Sequence, residues 1–446
     1  MAAPSFSFPP TVLHPPPPAP AAPAKRRAPM RVGVEGRAKE DPVHRVRHEA
    51  AFVEAALDRL LLLQRRRAED SGRINGEEQA EDDATLEEAA ALEAATAALG
   101  IELTPEDLEG RRVKVAGWRR RLAELLADPG VPQRTPAWYE ARKTMVTASD
   151  VATALGCGKF GTQRTFFQKK CGAPEEQSAF DATLPPLKWG VMYEPVAQAI
   201  YSAANQGVFV HEFGLLRHPT LPFVGASPDG ITELGVMLEI KCPWRRKIVE
   251  GEVPLQYYYQ IQAQLAVCGL DECDFFEVEL FEVEGPYDDA WADRRVEREY
   301  ERGVLVEWQK GPAAEGQPPE PPTYAYPPRV AGGSRDDLEA WVEGERAKAD
   351  GSGSAMREHW WVLRRRSTSR VMFDPAFSDD MFKRLAAVWG RTMEYRGDRD
   401  RYLDEVGAAA PPAPPSEGGG GASAQADAEA VERFSVATAG YAFVDE

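Results

Sequence analysis

The chain has 446 residues, with 53 Lys and Arg against 71 Asp and Glu and a formal net charge of −18. That length allows two to three domains, but 37 Pro and 37 Gly with strongly biased ends point to one main folded domain carrying extensions. The five cysteines are odd in number and include no C-x-x-C pair, which argues against a disulfide framework and a zinc site and for a reducing compartment.

Residues 1–40 read as a disordered Pro-rich leader. Met1 to Val34 contains the run Pro15 to Pro18 and no Asp or Glu, and it cannot build a packed core. Its basic patch, Lys25-Arg26-Arg27, suits an organelle transit peptide or a nuclear signal equally, so localisation stays open. Residues 41–130 read as a helical N-terminal extension, with Phe52, Ala55, Leu60 and Leu63 at mixed three- and four-residue steps and a polar break from Ser71 to Asp83. The aliphatic run Leu60 to Leu63 is far too short to span a membrane.

Residues 131–310 carry the main core. Ser149 to Cys171 reads as helical with a Gly-rich break at Gly156 to Gly161. A helical run reaching Tyr201 places Glu194 at a helix start, just ahead of Pro195. Val208 to Arg217, Phe223 to Ala226, Val236 to Lys241 and Phe275 to Val283 read as strands, and Pro254 to Cys268 as a helix. The expected fold is α/β, a mixed central β-sheet flanked by helices, with the N-terminal helical region added. Residues 311–335 read as a Pro/Gly-rich linker or surface loop, and 336–405 as a C-terminal helical segment that includes a helix from Asp336 to Lys348. Residues 406–446, with Pro411 to Pro415 and Gly418 to Gly421, read as a disordered tail.

The chemistry concentrates between Ser227 and Pro243. Ser227-Pro228-Asp229-Gly230 forms a tight turn, followed nine residues later by Leu238-Glu239-Ile240-Lys241. In a strand, Glu239 and Lys241 share one face while Leu238 and Ile240 share the other. Downstream, Gln260 and Gln264 stand one helical turn apart. Two carboxylates beside a lysine suit hydrolysis of a phosphodiester, whose negative charge must be offset while a water is deprotonated. Mg²⁺ takes one or two carboxylates plus phosphate oxygens, with Mn²⁺ as the alternative ion. Lys241 would orient the attacking water and offset charge as it develops.

Helix-Glu, turn-Asp, strand-Glu-x-Lys and helix-Gln in this order resemble the PD-(D/E)xK nuclease superfamily. Within it, the chain resembles the YqaJ-type viral recombinase family that includes phage lambda exonuclease. Trp138-Tyr139-Glu140-Ala141-Arg142 and Val146-Thr147-Ala148-Ser149-Asp150 resemble the family's pocket for the 5′-phosphate of duplex DNA, and His359-Trp360-Trp361 with Phe382 to Arg396 resembles its closing segment. The resemblance implies a restriction-endonuclease-like core with Asp229, Glu239, Glu194 and the Ile240 carbonyl as metal ligands. It further implies Lys241 and Gln260 as catalytic, with Arg142, Ser149, Thr147, Gln264 and Arg245 on the DNA. A strand-annealing partner and a homotrimer also come with the resemblance.

A net charge this negative opposes binding to DNA, where phosphate contacts need Lys and Arg. Yet Val131 to Glu284 holds 13 basic against 19 acidic residues, a net of −6, so most of the excess lies elsewhere. Lys159, Arg164, Lys169 and Lys170, and then Arg245, Arg246 and Lys247, flank the motifs and suggest a DNA track. The expected activity is an Mg²⁺-dependent exonuclease acting 5′-to-3′ on linear duplex DNA in recombination or repair. The alternatives are a structure-specific endonuclease and a non-catalytic DNA-end-binding adaptor.

Overall fold

The computed structural model describes residues 54–63, 104–159, 161–172, 185–288, 291, 301–309, 322–352, 355–407 and 433–435. The leader 1–40 and most of the tail 406–446 lie outside these residues. Helical elements are α1 (54–63), α2 (Pro105–Ala127), α3 (Pro136–Lys143), α4 (Val151–Ala154), α5 (Gln163–Cys171), α6 (Pro185–Ala204), α7 (Leu255–Cys268), α8 (Arg335–Ser352), α9 (Pro375–Gly397) and α10 (Arg399–Glu405). Strands are β1 (Val146–Thr147), β2 (Val210–His211), β3 (Leu216–Arg217), β4 (Val224–Ala226), β5 (Gly230–Thr232), β6 (Met237–Lys241), β7 (Glu252–Pro254), β8 (Glu272–Val283), β9 (Arg302–Gln309), β10 (Thr323–Ala325), β11 (Ala355–Met372) and β12 (Arg433–Ser435).

β6 sits inside a seven-stranded mixed sheet of order β10-β9-β11-β8-β6-β5-β2. It runs parallel to β8, with Glu239 opposite Phe275, and antiparallel to β5. Leu238, Glu239 and Ile240 are all buried, so β6 is covered on both faces, as interior strands with a parallel neighbour are. A second sheet, β1-β4-β3, carries the Val146 to Ser149 segment. One hydrophobic cluster joins the sheets to α2, α6, α7 and α9 through residues such as Trp118, Ile200, Ile261 and Leu385. Among the described residues no helix is long and apolar enough to cross a membrane.

Local chemistry starts the helices. Thr104 caps α2 in a reciprocal box, accepting from Asp107 N at 3.2 Å while its own N–H donates to Asp107 Oδ2 at 2.9 Å, with Pro105 in the first turn. Thr135 caps α3 by a single bond, accepting from Trp138 N at 3.2 Å with Pro136 in the first turn, and Arg142 and Lys143 close it where the helix dipole favours cations.

The N-terminal helices are not a free appendage. Arg111 of α2 grips Asp58 of α1 with two hydrogen bonds of 2.7 Å and Glu272 of β8 with two, of 2.6 and 3.0 Å. Glu272 also accepts from Arg370 of β11 at 2.6 Å, and Arg370 grips Asp274 at 2.6 Å. Carboxylate and guanidinium thus alternate through a buried chain joining four elements.

Several expectations need correcting. Val208 to Arg217 is two short strands in different sheets, because a Cβ on Gly214 would come within 2.1 Å of the Val131 carbonyl oxygen and the chain bends there to pass it. Glu194 lies in the middle of α6 rather than at its start, and Pro195 is an interior proline. Such a proline removes one backbone bond without ending the helix. Residues 336–405 are not a helical segment: between α8 and α9 runs the 18-residue strand β11, hydrogen-bonded to both β8 and β9. The linker 311–335 contains β10, paired with β9, and the tail contributes β12, paired with β7.

Candidate active site

The register of the β5–β6 hairpin explains why Asp229 faces Glu239 and Lys241. Gly230 pairs with Leu238, so the next ladder position for Ile240 would be Pro228. The Asp229 side chain takes that place instead, its Oδ2 accepting from Ile240 N at 2.7 Å. Residue 230 has to be glycine, since a Cβ there would lie 2.3 Å from Val210 Cγ1.

Glu239 is fully buried and held by three donors. Lys241 Nζ and Gln260 Nε2 donate to Oε1, the latter at 2.7 Å, and Gln264 Nε2 donates to Oε2 at 2.7 Å. Both glutamines come from α7, one turn apart. The Gln264 carbonyl oxygen is buried with no hydrogen-bond partner. Glu194, on α6, pairs through Oε2 with Arg134 Nη2 at 2.7 Å.

These groups share one electrostatic environment. Burial, then the charges of Glu239 and Glu194, push the Asp229 carboxyl well above its usual range. Burial also raises Glu194, although Arg134 and Lys241 oppose it. For Lys241 burial alone would favour the neutral amine, but Glu239 and Asp229 outweigh it and hold the ammonium charged. Burial and the neighbouring carboxylates push the Cys242 thiol upward, so it is no thiolate nucleophile.

The donor set is all oxygen and carries excess negative charge, which suits a hard divalent cation. The unpaired Gln264 oxygen beside Glu239 gives a hydrated ion a further acceptor for its waters. As the side chains lie, no group of three or more His, Cys, Asp or Glu among the described residues is gathered to hold an ion. Glu239 is taken by its three donors and Glu194 by Arg134, so a cation would enter by exchange.

A second group lies alongside. Arg142 stacks 4.1 Å from the Trp138 ring centroid and donates to Ser149 Oγ at 3.2 Å. Trp138 Nε1 donates to Ser227 Oγ at 3.0 Å, and Gln133 Nε2 to the Pro228 carbonyl at 3.3 Å, so this segment is stitched to the turn carrying Asp229. Ser149 is exposed. Thr147 is buried and donates to Asp150 Oδ2 at 2.7 Å, which makes it a support for Ser149 rather than a group facing solvent.

Two cations of the expected DNA track are structural. Lys170 is 5 % exposed, donates to the Arg142 carbonyl at 2.7 Å and pairs with Asp150 at 2.8 Å. Arg246 forms an ion pair with Glu277. Gln133 and Arg134 are members of the group that sequence reasoning does not pick out, and Trp138 is named there only as part of its motif, without a role. Trp138 and Arg142 are four apart on a helix, and that spacing is a signal that could have paired them. Arg134 gives no local signal.

Residues 137–271 match the family described as the YqaJ-like viral recombinase domain. That segment of the chain is similar to the YqaJ-like domain. The YqaJ-like domain therefore spans the Arg142–Ser149 group, Asp229 to Lys241 and α7. An uncharacterized protein, R354, of Acanthamoeba polyphaga mimivirus is 25% identical over 325 residues, 64% of this chain and 57% of that protein. A protein of African swine fever virus (strain Badajoz 1971 Vero-adapted) is 25% identical over 163 residues, 30% of this chain and 46% of that protein. The chain thus spans about half the length of the curated relatives it matches. Among solved structures, the alkaline exonuclease LHK-Exo from Laribacter hongkongensis aligns with a TM-score of 0.35 at 19% identity, covering 61% of this chain and 100% of that one. A phage-related exonuclease from Haemophilus somnus 129PT aligns at 0.29 and 13% identity, covering 57% and 96%.

Proposed function

We propose that the protein is a divalent-metal-dependent deoxyribonuclease that digests one strand of linear duplex DNA from a 5′-phosphorylated end. The observation that carries this reading is the convergence of the buried Glu239 with the half-buried Asp229, Glu194 and Lys241 in one electrostatic cluster, within a segment similar to the YqaJ-like domain. Asp229, Glu239, Glu194 and the Ile240 carbonyl would hold Mg²⁺ or Mn²⁺. The ion, when bound, supplies charge to offset the phosphoryl oxygens and lowers the pKa of a water.

The chain's own groups do the rest. Gln260 and Gln264 keep both Glu239 oxygens pointed into the pocket. Lys241, held charged, orients the attacking water and stabilises negative charge as it develops. Arg142, braced by Trp138 and beside the Ser149 hydroxyl, offers a fork of donors suited to a terminal phosphate. The 5′-to-3′ direction rests on that pair. A strand-annealing partner and a ring of three copies belong to the same reading.

The test uses end-labelled linear duplex with a 5′-phosphate or a 5′-hydroxyl, and closed circular plasmid, with Mg²⁺, with Mn²⁺ and with chelator. Loss of the 5′-phosphorylated strand alone, with circles spared, is the expected result. Cutting of circles would move the assignment to an endonuclease. Binding without cleavage under either ion would replace it with an end-binding adaptor.

A further inference from the structure

Between β6 and β7 the chain passes through Cys242-Pro243-Trp244-Arg245-Arg246-Lys247 before turning at Gly251. The base of this loop is fastened to the sheet. Arg246 pairs with Glu277 of β8, Arg365 of β11 donates to the Ile248 carbonyl at 3.4 Å, and Ile248 is fully buried. Trp244, Arg245 and Lys247 lie at the surface. The Trp244 ring is 38 % exposed, with the Arg245 guanidinium 4.0 Å from its centroid. Arg245 and Lys247 are exposed, and among the described residues neither pairs with a carboxylate.

One exposed apolar residue is ordinary on a protein surface. Here the indole is presented by a braced loop, it is stacked on a cation that no carboxylate neutralises, and it follows Lys241 by three residues. Three extended residues reach at most about 10 Å, or roughly three base steps at ~3.4 Å per nucleotide of one strand.

We propose that Trp244 and Arg245 form a stacking platform for a nucleobase of the strand being cut, within about three nucleotides of the scissile phosphate. Every base has a π face, so the contact tolerates any sequence, as digestion of a whole strand requires. The guanidinium reinforces the stack through its planar cation and stays free to meet a phosphate. Lys247 meets the backbone, while Arg246 is spent on Glu277 and holds the loop. This inference rests on the nuclease reading above and names how that site grips its strand.

The experiment measures anisotropy of a labelled single-stranded oligonucleotide with the full chain in EDTA, where nothing is cut, against an abasic chain of equal length. Trp244→Ala should weaken binding of the base-bearing strand about ten-fold, in the range for one base–aromatic stack, and leave the abasic strand unchanged. Trp244→Phe should restore most of the loss, and Lys247→Ala should weaken both strands alike. Equal loss on both strands from Trp244→Ala, or no loss on either, would overturn the platform while wild-type cleavage left the nuclease reading standing. A wild-type protein that neither binds nor cuts DNA would remove both.

Discussion

Arg134 Nη2 donates to Glu194 Oε2 at 2.7 Å, across 60 residues of sequence. The pair is 44 % and 31 % exposed, so it contributes less than about 1 kcal/mol. It nonetheless occupies an oxygen that a divalent ion would need. Arg134→Ala should free Glu194 and tighten Mn²⁺ binding up to about five-fold by calorimetry. Weaker binding would mean that Arg134 instead holds Glu194 ready for the ion.

Asp229 is half-buried beside Glu239, and desolvation, then the charges of Glu239 and Glu194, push its carboxyl well upward. Asp229→Asn keeps an acceptor for Ile240 N and removes one negative charge. Cleavage should fall by at least about 100-fold. The thermal midpoint of the metal-free protein should rise by a few degrees, on the order of 1 kcal/mol. Lys241→Ala should abolish cleavage as well, but lower the midpoint, because it strands Glu239 and Asp229 without a cation. Substantial residual cleavage by either variant would refute the site assignment.

Asp150 titrates in the opposite direction. Burial alone would raise its carboxyl, but Lys170, Lys169 and Arg142 outweigh it and hold the group well below the usual value of 3.8. A depressed folded-state pKa means that the stability it contributes is complete above the unfolded value. It is lost as pH falls from about 3.8 through the folded value. Asp150→Asn should cost about 3–5 kcal/mol at neutral pH by leaving Lys170 buried without its counter-charge. Denaturant titrations of the variant should also lose the acid-side slope of the wild type below pH ~4. An unchanged slope would show that other carboxylates govern acid unfolding.

The proposed strand polarity rests on Arg142. Arg142→Ala should slow digestion of 5′-phosphorylated ends by about ten-fold or more, the worth of a charge-assisted bidentate contact, and barely affect 5′-hydroxyl ends. Arg142→Lys should recover little, because an ammonium neither forks nor stacks on Trp138 as a guanidinium does. Equal slowing on both ends would assign Arg142 to folding.

Arg111 tests whether the N-terminal helices belong to the catalytic body. It is 1 % exposed and bonded to Asp58 and Glu272. Arg111→Ala leaves the buried Asp58 and Glu272 with Arg370 as their remaining shared cation, and should lower stability by about 3–5 kcal/mol in one cooperative denaturant transition. Two separate transitions would show that α1 and α2 unfold on their own.

The residues proposed to carry the chemistry follow local rules. Glu239 and Lys241 share a face because strand side chains alternate, and Gln260 and Gln264 share one because four residues make about one helical turn. Two short-range periodicities were enough to read that much from the sequence alone, together with the α/β class and β6, β8 and α7. The strand β11 escaped notice because its 18 residues mix Trp, Arg, Ser and Thr with no clean alternation, and what makes it a strand is hydrogen bonding to β8 and β9. Arg134 meets Glu194, Gln264 reaches the second oxygen of Glu239, and Lys170 turns inward to Asp150 only once the chain has closed. A charge in sequence has a sign but no address. Whether it faces DNA or a buried carboxylate is decided by which distant element packs against it, where desolvation makes pairing obligatory.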